Sequence, residues 1–158
     1  MKTNIIKDLS NNRLLVQRTF DAPLADTWRA FTESEFLEQW WAPKPYITKT
    51  KIMNFEKGGH WLYMMEGPTG DQHWAIVEFI TINAMNNFEA IVHFCDAEGN
   101  KNLSLPVSTW HYQFISSGET TKVEIALSYS DEAQLQRHIE MGFEAGFDMA
   151  LNTLEGIL

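Results

Sequence analysis

Five histidines, one cysteine and four tyrosines are the side chains of this 158-residue chain that could carry chemistry, together with any carboxylate held out of water. The histidines are His60, His73, His93, His111 and His138. None forms a His-Glu-x-x-His pair, and none stands at a metal-ligand spacing from Cys95, so the sequence carries no metal motif. His93 and His111 fall on central candidate strands. Turned inward, either could serve as a general base, with Glu78 as the matching acid. A carboxylate facing an apolar cavity would have a raised pKa. Turned outward, all three are solvated strand residues, and the aromatic character of Phe94, Trp110 and Tyr112 beside the two histidines favours that arrangement. Gly-x-Gly-x-x-Gly, Walker-type and Gly-x-Ser-x-Gly patterns are absent. Gly58-Gly59 lies between two strands, with no helix N-terminus to hold a phosphate. No cofactor is implied.

A second group of residues points to binding. In the stretch His60–Glu66 the bulkier apolar parity is Trp61, Tyr63 and Met65. The same choice gives Trp110, Tyr112 and Phe114, and then Val123, Ile125 and Leu127. Both parities of 73–82 and of 88–95 are too apolar to assign a face. The last stretch, Asp131–Leu158, reads as an amphipathic helix. Gly142, Phe143 and Gly146 lie on its apolar side. Each glycine costs about 1 kcal/mol in a helix interior, so either the sheet packs close there or the helix leaves room for a ligand. Trp61, Tyr63, Met65, Trp110, Tyr112, Phe114, Gly142, Phe143, Gly146 and Phe147 would then line a pocket whose tyrosine hydroxyls orient the bound molecule. The competing reading is a filled core with each hydroxyl hydrogen-bonded or reaching solvent.

These positions need a scaffold. Residues 1–12 show no clear period and read as a flexible lead-in to a single domain, 13–158. Arg13–Phe20 alternates as a strand. Asp21 stands at a helix N-cap position and Pro23 in the first turn, opening a helix from Ala22 to about Phe31. A second short helix carries Phe36, Leu37, Trp40 and Trp41. The period then changes to two. Strands are expected at 46–55, 60–66, 73–82, 88–94, 108–116 and 120–129, separated by Gly-, Asn- and Asp-rich turns. Ser130 can cap the final helix. Hairpins in succession, with helices segregated at both ends, make an antiparallel α+β domain. A long twisted sheet curls, and the C-terminal helix is the element long enough to close its concave side.

Composition narrows the function classes. A net charge of -9 disfavours nucleic acid and anionic membrane. No apolar run is long enough to span a bilayer, and the lone cysteine with a polar N-terminus is the expectation for a cytoplasmic protein. Six Trp and ten Phe raise the aromatic share to 13%, enough to fill a core or to line an apolar site.

The element order resembles the helix-grip fold of the Bet v 1/START-like superfamily. Phe20-Asp21-Ala22-Pro23, Trp28-Arg29-Ala30-Phe31, Phe36 through Pro43 with its Trp40-Trp41-Ala42-Pro43, Phe55 through Trp61 with Gly58-Gly59, and Met141 through Phe147 resemble the branch named after the Hsp90 ATPase activator. The likeness runs from about Arg13 to Leu158. Asn54, Phe147 and Val77-Glu78 depart from that pattern, and the last change crowds the sheet. The resemblance implies a curved antiparallel sheet of about seven strands around a long C-terminal helix, with two short helices after the first strand. It implies no single activity, since the superfamily holds lipid and hormone binders as well as cyclases. Three readings stay open: a module that binds a small hydrophobic or amphipathic molecule, a cyclase- or dehydratase-type enzyme using His93 or His111 with Glu78, and a protein-interaction module such as a chaperone co-regulator. Either a monomer or a homodimer is compatible with the sequence. The absence of a dense acid–base cluster favours the first reading over the second.

Overall fold

The computed structural model describes residues 2–158. Its strands are β1 (Asn4–Asp8), β2 (Arg13–Phe20), β3 (Ile47–Met53), β4 (His60–Glu66), β5 (Gln72–Asn83), β6 (Asn87–Cys95), β7 (Ser108–Ser117) and β8 (Thr120–Ser128). The helices are α1 (Leu24–Thr32), α2 (Ser34–Trp40), α3 (Glu132–Glu140) and α4 (Phe143–Ile157). All eight strands join one antiparallel sheet in the order β1-β2-β8-β7-β6-β5-β4-β3. The count exceeds the expected seven because Asn4–Asp8, read as lead-in, pairs with β2 as an edge strand. An edge strand that buries little shows no alternation, which is why its pattern is silent.

Period-two burial fixes the inner face. Leu14, Val16 and Phe20 on β2 join Trp61 and Tyr63 on β4, Trp110, Tyr112 and Phe114 on β7, and Val123, Ile125 and Leu127 on β8 in one core. On the undecided strands the inner parity is Ala75, Val77 and Phe79, paired with Phe94, Val92 and Ala90. Both parities are apolar because the outer face is covered too. Residues 96–107 fold over Leu62 and Ile76, 2% and 8% exposed, tied down by Lys51 Nζ donating to the Ala97 carbonyl at 2.7 Å.

The helix starts differ from the sequence reading. Pro23 occupies the N-cap of α1, with no side-chain cap from Asp21. At α3 the cap is Asp131, which accepts from the Gln134 N–H at 2.9 Å, while Ser130 accepts from the Gln134 side chain. The larger difference is the C-terminal helix, which is two helices. Gly142 has φ +84°, ends α3 by donating to the Ile139 carbonyl at 2.9 Å, and begins α4 by accepting from the Gly146 N–H at 3.1 Å. It is exposed and lines nothing. The apolar face carries through the break, so periodicity alone reads as one helix. Gly146 is an ordinary helical residue whose missing Cβ would sit 3.6 Å from Pro43 Cγ, at van der Waals distance. The two glycines therefore answer oppositely to substitution. Gly142→Ala should destabilise by about 1 kcal/mol, because a Cβ is disfavoured in the left-handed region. Gly146→Ala should stabilise by about 0.5–1 kcal/mol through helix propensity. Urea unfolding midpoints of the two variants check both signs.

One buried charge fastens α4 to the sheet. Arg18, 3% exposed on the inner side of β2, donates through Nη1 to Asn152 Oδ1 at 2.7 Å and Thr3 Oγ1 at 2.8 Å. The carboxylates of Asp148 and Glu155 lie 3.8 and 3.2 Å from its guanidinium.

Candidate functional site

The inner face of the sheet is covered by two bodies, α1–α2 over one end and α4 over the other. Phe114 lies under α1, its ring 4.9 Å from Trp28 and 5.5 Å from Phe31. Phe143 and Phe147 reach Trp110 from α4 at 5.7 and 5.6 Å. Between them sits Trp41, just past the end of α2. Its ring is 5.5 Å from Trp61, 5.8 Å from Trp110 and 5.7 Å from Phe147, and its Nε1 donates to the Tyr63 hydroxyl at 2.9 Å. Trp40, 1% exposed, donates to the Ala30 carbonyl and ties α2 to α1. Trp41 instead enters the space that a ligand would take. Its insertion was not legible from spacing, although two consecutive tryptophans at a helix end were the available signal.

The remaining space is small. A void of about 10 Å³ lies among Phe31, Trp41, Met53, Trp61, Phe88 and Tyr112, with Leu37, Val77, Phe79 and Val92 completing its wall. That is room for one water, against the 300 Å³ or more of a ready-made ligand pocket. Of the ten residues proposed as lining, Trp61 and Tyr112 touch the void. Tyr63, Trp110, Phe114 and Phe147 are buried in the surrounding layer, Met65 and Phe143 pack partly buried against it, and the two glycines stand apart.

Polar groups in this layer are mostly paired. The indoles of Trp61 and Trp110 donate to Thr50 Oγ1 at 3.0 Å and to Ser108 Oγ at 2.8 Å. Tyr63 accepts from Trp41, and burial pushes its pKa up to about 12 despite that bond. Tyr112 is 5% exposed; burial first, and the Tyr63 phenol second, hold it well above its ordinary value. Both phenols therefore keep their protons as donors.

The acid–base candidates lie on the other side of the sheet. Glu78 and His93 have the parity opposite to Val77 and Val92, and His111 that opposite to Tyr112. Glu78 Oε1 accepts from Lys101 Nζ at 2.7 Å and stands 4.0 Å from His93 Nδ1. His93 is more enclosed than a solvated strand residue, its side chain 13% exposed, and burial lowers its pKa. His111 pairs with Glu89 at 3.6 Å and does not approach His93. Cys95 is pushed up to about 11 by burial and stays a thiol. No group of His, Cys, Asp and Glu suited to a metal ion occurs among the described residues. No described helix is long and apolar enough to cross a membrane. A wider groove of about 230 Å³ opens to solvent between the start of α1, Phe36 and the end of α4.

The comparisons agree with this architecture. The model of the family described as Activator of Hsp90 ATPase homolog 1-like protein matches residues 21–158. A crystal structure from Mycobacterium smegmatis is 27% identical over 99% of this chain and 96% of that one, with a TM-score of 0.91. Solution structures from Arthrobacter aurescens and Staphylococcus epidermidis are 27% and 29% identical. They span 94% and 98% of this chain and 87% and 93% of their own, with TM-scores of 0.89 and 0.85. No curated protein matches the chain significantly.

Proposed function

The chain belongs to the Activator of Hsp90 ATPase homolog 1-like family, and from that premise we propose that it binds a small apolar molecule in the aromatic layer between sheet and α4, in a cleft that is closed when empty. The observation that carries this reading is Trp41, a single side chain past the end of α2 that fills the space between the sheet and α4, beside a void of about 10 Å³ that Met53 also lines. Entry is by Met53, which lines the void from the edge strand β3 and is only half-buried. A methionine there turns aside at little cost. No acid–base pair faces the cleft, so the proposal is binding without catalysis.

A second reading has its own observation. A void of about 10 Å³ is what a protein-interaction module would keep, with its partner on the outside. Native mass spectrometry of the purified protein, followed by thermal melts against a library of lipids and neutral aromatics, separates the two. The ligand reading expects a retained neutral molecule, or a melting shift of several degrees that Met53→Trp abolishes. A clean unliganded mass with no shift across the library would leave the protein-partner reading in its place.

A further inference from the structure

The groove between the start of α1, Phe36 and the end of α4 is separate from the aromatic layer, and no residue lines both the groove and the void. Its floor is apolar, made by Ala22, Pro23, Phe36, Ile157 and Leu158. Asp21, Asp26 and Arg29 stand on its rim. The floor is held in place from below. Thr121 Oγ1 donates to the Ala22 carbonyl at 2.9 Å and Thr27 Oγ1 to the Pro23 carbonyl at 3.1 Å, and both threonines are fully buried. The Arg29 guanidinium lies over the Phe36 ring, 5.1 Å from its centroid.

Resting on the protein-partner reading rather than on the ligand-binding one, we propose that a partner protein docks in this groove through an aliphatic side chain flanked by lysine or arginine. Size and charge both point that way. A volume of about 230 Å³, open to solvent, is below that of a pocket that swallows a free small molecule, and suits one anchoring side chain carried by a larger partner. Arg29, the one cation on the rim, is spent on Glu33 at 2.9 Å. That bond first, and then the charges of Asp26 and Glu35, hold Arg29 above its ordinary pKa, so carboxylates outnumber cations around the groove. Asp26 stands in the first turn of α1, where the helix dipole favours a carboxylate. Asp21 has no such role. It does not cap α1, and no hydrogen bond or ion pair engages its carboxylate among the described residues. An acidic partner would meet like charge here, whereas a basic one supplies the counter-charge that Asp21 lacks.

The test is an NMR titration of the ¹⁵N-labelled full chain with three acetylated and amidated peptides: Arg-Leu-Arg, Arg-Gly-Arg and Glu-Leu-Glu. Arg-Leu-Arg should shift the amides of Ala22, Asp26, Phe36 and Ile157. Replacing its leucine by glycine should weaken binding at least about fivefold, and Glu-Leu-Glu should leave the groove unshifted. Asp21→Asn with Asp26→Asn, both at exposed positions, should weaken Arg-Leu-Arg by about threefold to tenfold, and added salt should weaken it in the unaltered chain. Shifts by Arg-Leu-Arg confined to another face would overturn the groove and leave the protein-partner reading standing. Equal binding of Glu-Leu-Glu, or no loss in the double variant, would likewise overturn the proposal. No shift anywhere with any peptide would count against groove and reading together.

Discussion

Trp41→Ala is expected to destabilise the protein by about 3–5 kcal/mol, and millimolar indole is expected to restore part of the loss. The indole touches Trp40, Trp61, Trp110 and Phe147 at ring separations of 5.3–5.8 Å and carries the hydrogen bond to Tyr63. Removing it deletes a transfer term and leaves a hole that rigid aromatic neighbours cannot close, so the cavity term is added nearly in full. The hole adjoins the existing void, is lined by rings and β-branched side chains, and retains the Tyr63 hydroxyl as an acceptor. Indole matches it in shape and supplies the missing N–H. At ten times its dissociation constant a bound indole returns about 1.4 kcal/mol. Urea unfolding with and without indole measures both parts, and Trp41→Phe, with a smaller expected loss, keeps the test usable if the alanine variant is too unstable. A loss below about 1 kcal/mol with no response to indole would show that Trp41 does not plug the cleft. The result also bears on the proposed function, which needs a space that one side chain holds shut and a ligand could open.

The parts of this molecule that the sequence made legible are those where one face is dry and the other wet. β7 and β8 alternate cleanly, so Trp110, Tyr112 and Phe114 and their partners Leu127, Ile125 and Val123 were assigned to the inner face from parity alone. β5 and β6 resisted the same treatment because Leu62, Ile76 and the segment 96–107 build a second small core on the outer face, and period two is lost when both faces are apolar. The break at Gly142 was hidden for a related reason. α3 and α4 bury the same side of the chain, so the hydrophobic phase survives a residue at φ +84°. A glycine in a helical pattern carries two signals, a turn and a tolerated interior position, and only the backbone separates them. The filling of the space between sheet and helices had no signature at all. Volume depends on where Trp41 and Phe31 go once α1 and α2 dock, and docking is a tertiary event that spacing does not encode.

The histidine with the largest energetic consequence is His138, for which the sequence suggested no role. Near the end of α3 it is 8% exposed, with its ring 4.5 Å from Phe143, 6.3 Å from Phe94 and 5.6 Å from Tyr129. Burial lowers its pKa from 6.5 to about 4. The Tyr129 phenol, which burial keeps protonated, hydrogen-bonds to Nδ1, so the neutral ring accepts there. Protonation would place a donor against that donor and a charge among rings. The unfolded chain takes up this proton below about pH 6.5, the folded chain only below about 4. Stability is therefore intact above 6.5, declines as pH falls between those values, and by pH 4 has lost about 3 kcal/mol. His93, also lowered by burial, adds a smaller loss of the same sign. Carboxylates with lowered values, such as Glu66 and Asp71, give up their contributions only below about pH 4.5, and Asp71 as pH falls from about 3.8 to about 2. His138→Gln should therefore be less stable than the unaltered protein at pH 7 and should flatten most of the decline between pH 6.5 and 4.5. Urea unfolding at half-unit steps across that range measures the slope. An unchanged slope in His138→Gln would place the titrating group elsewhere. Because Phe143 bridges His138 to Trp110 and Phe147, the same acid window loosens the α4 side of the cleft first, and Trp fluorescence should shift before the helices unfold.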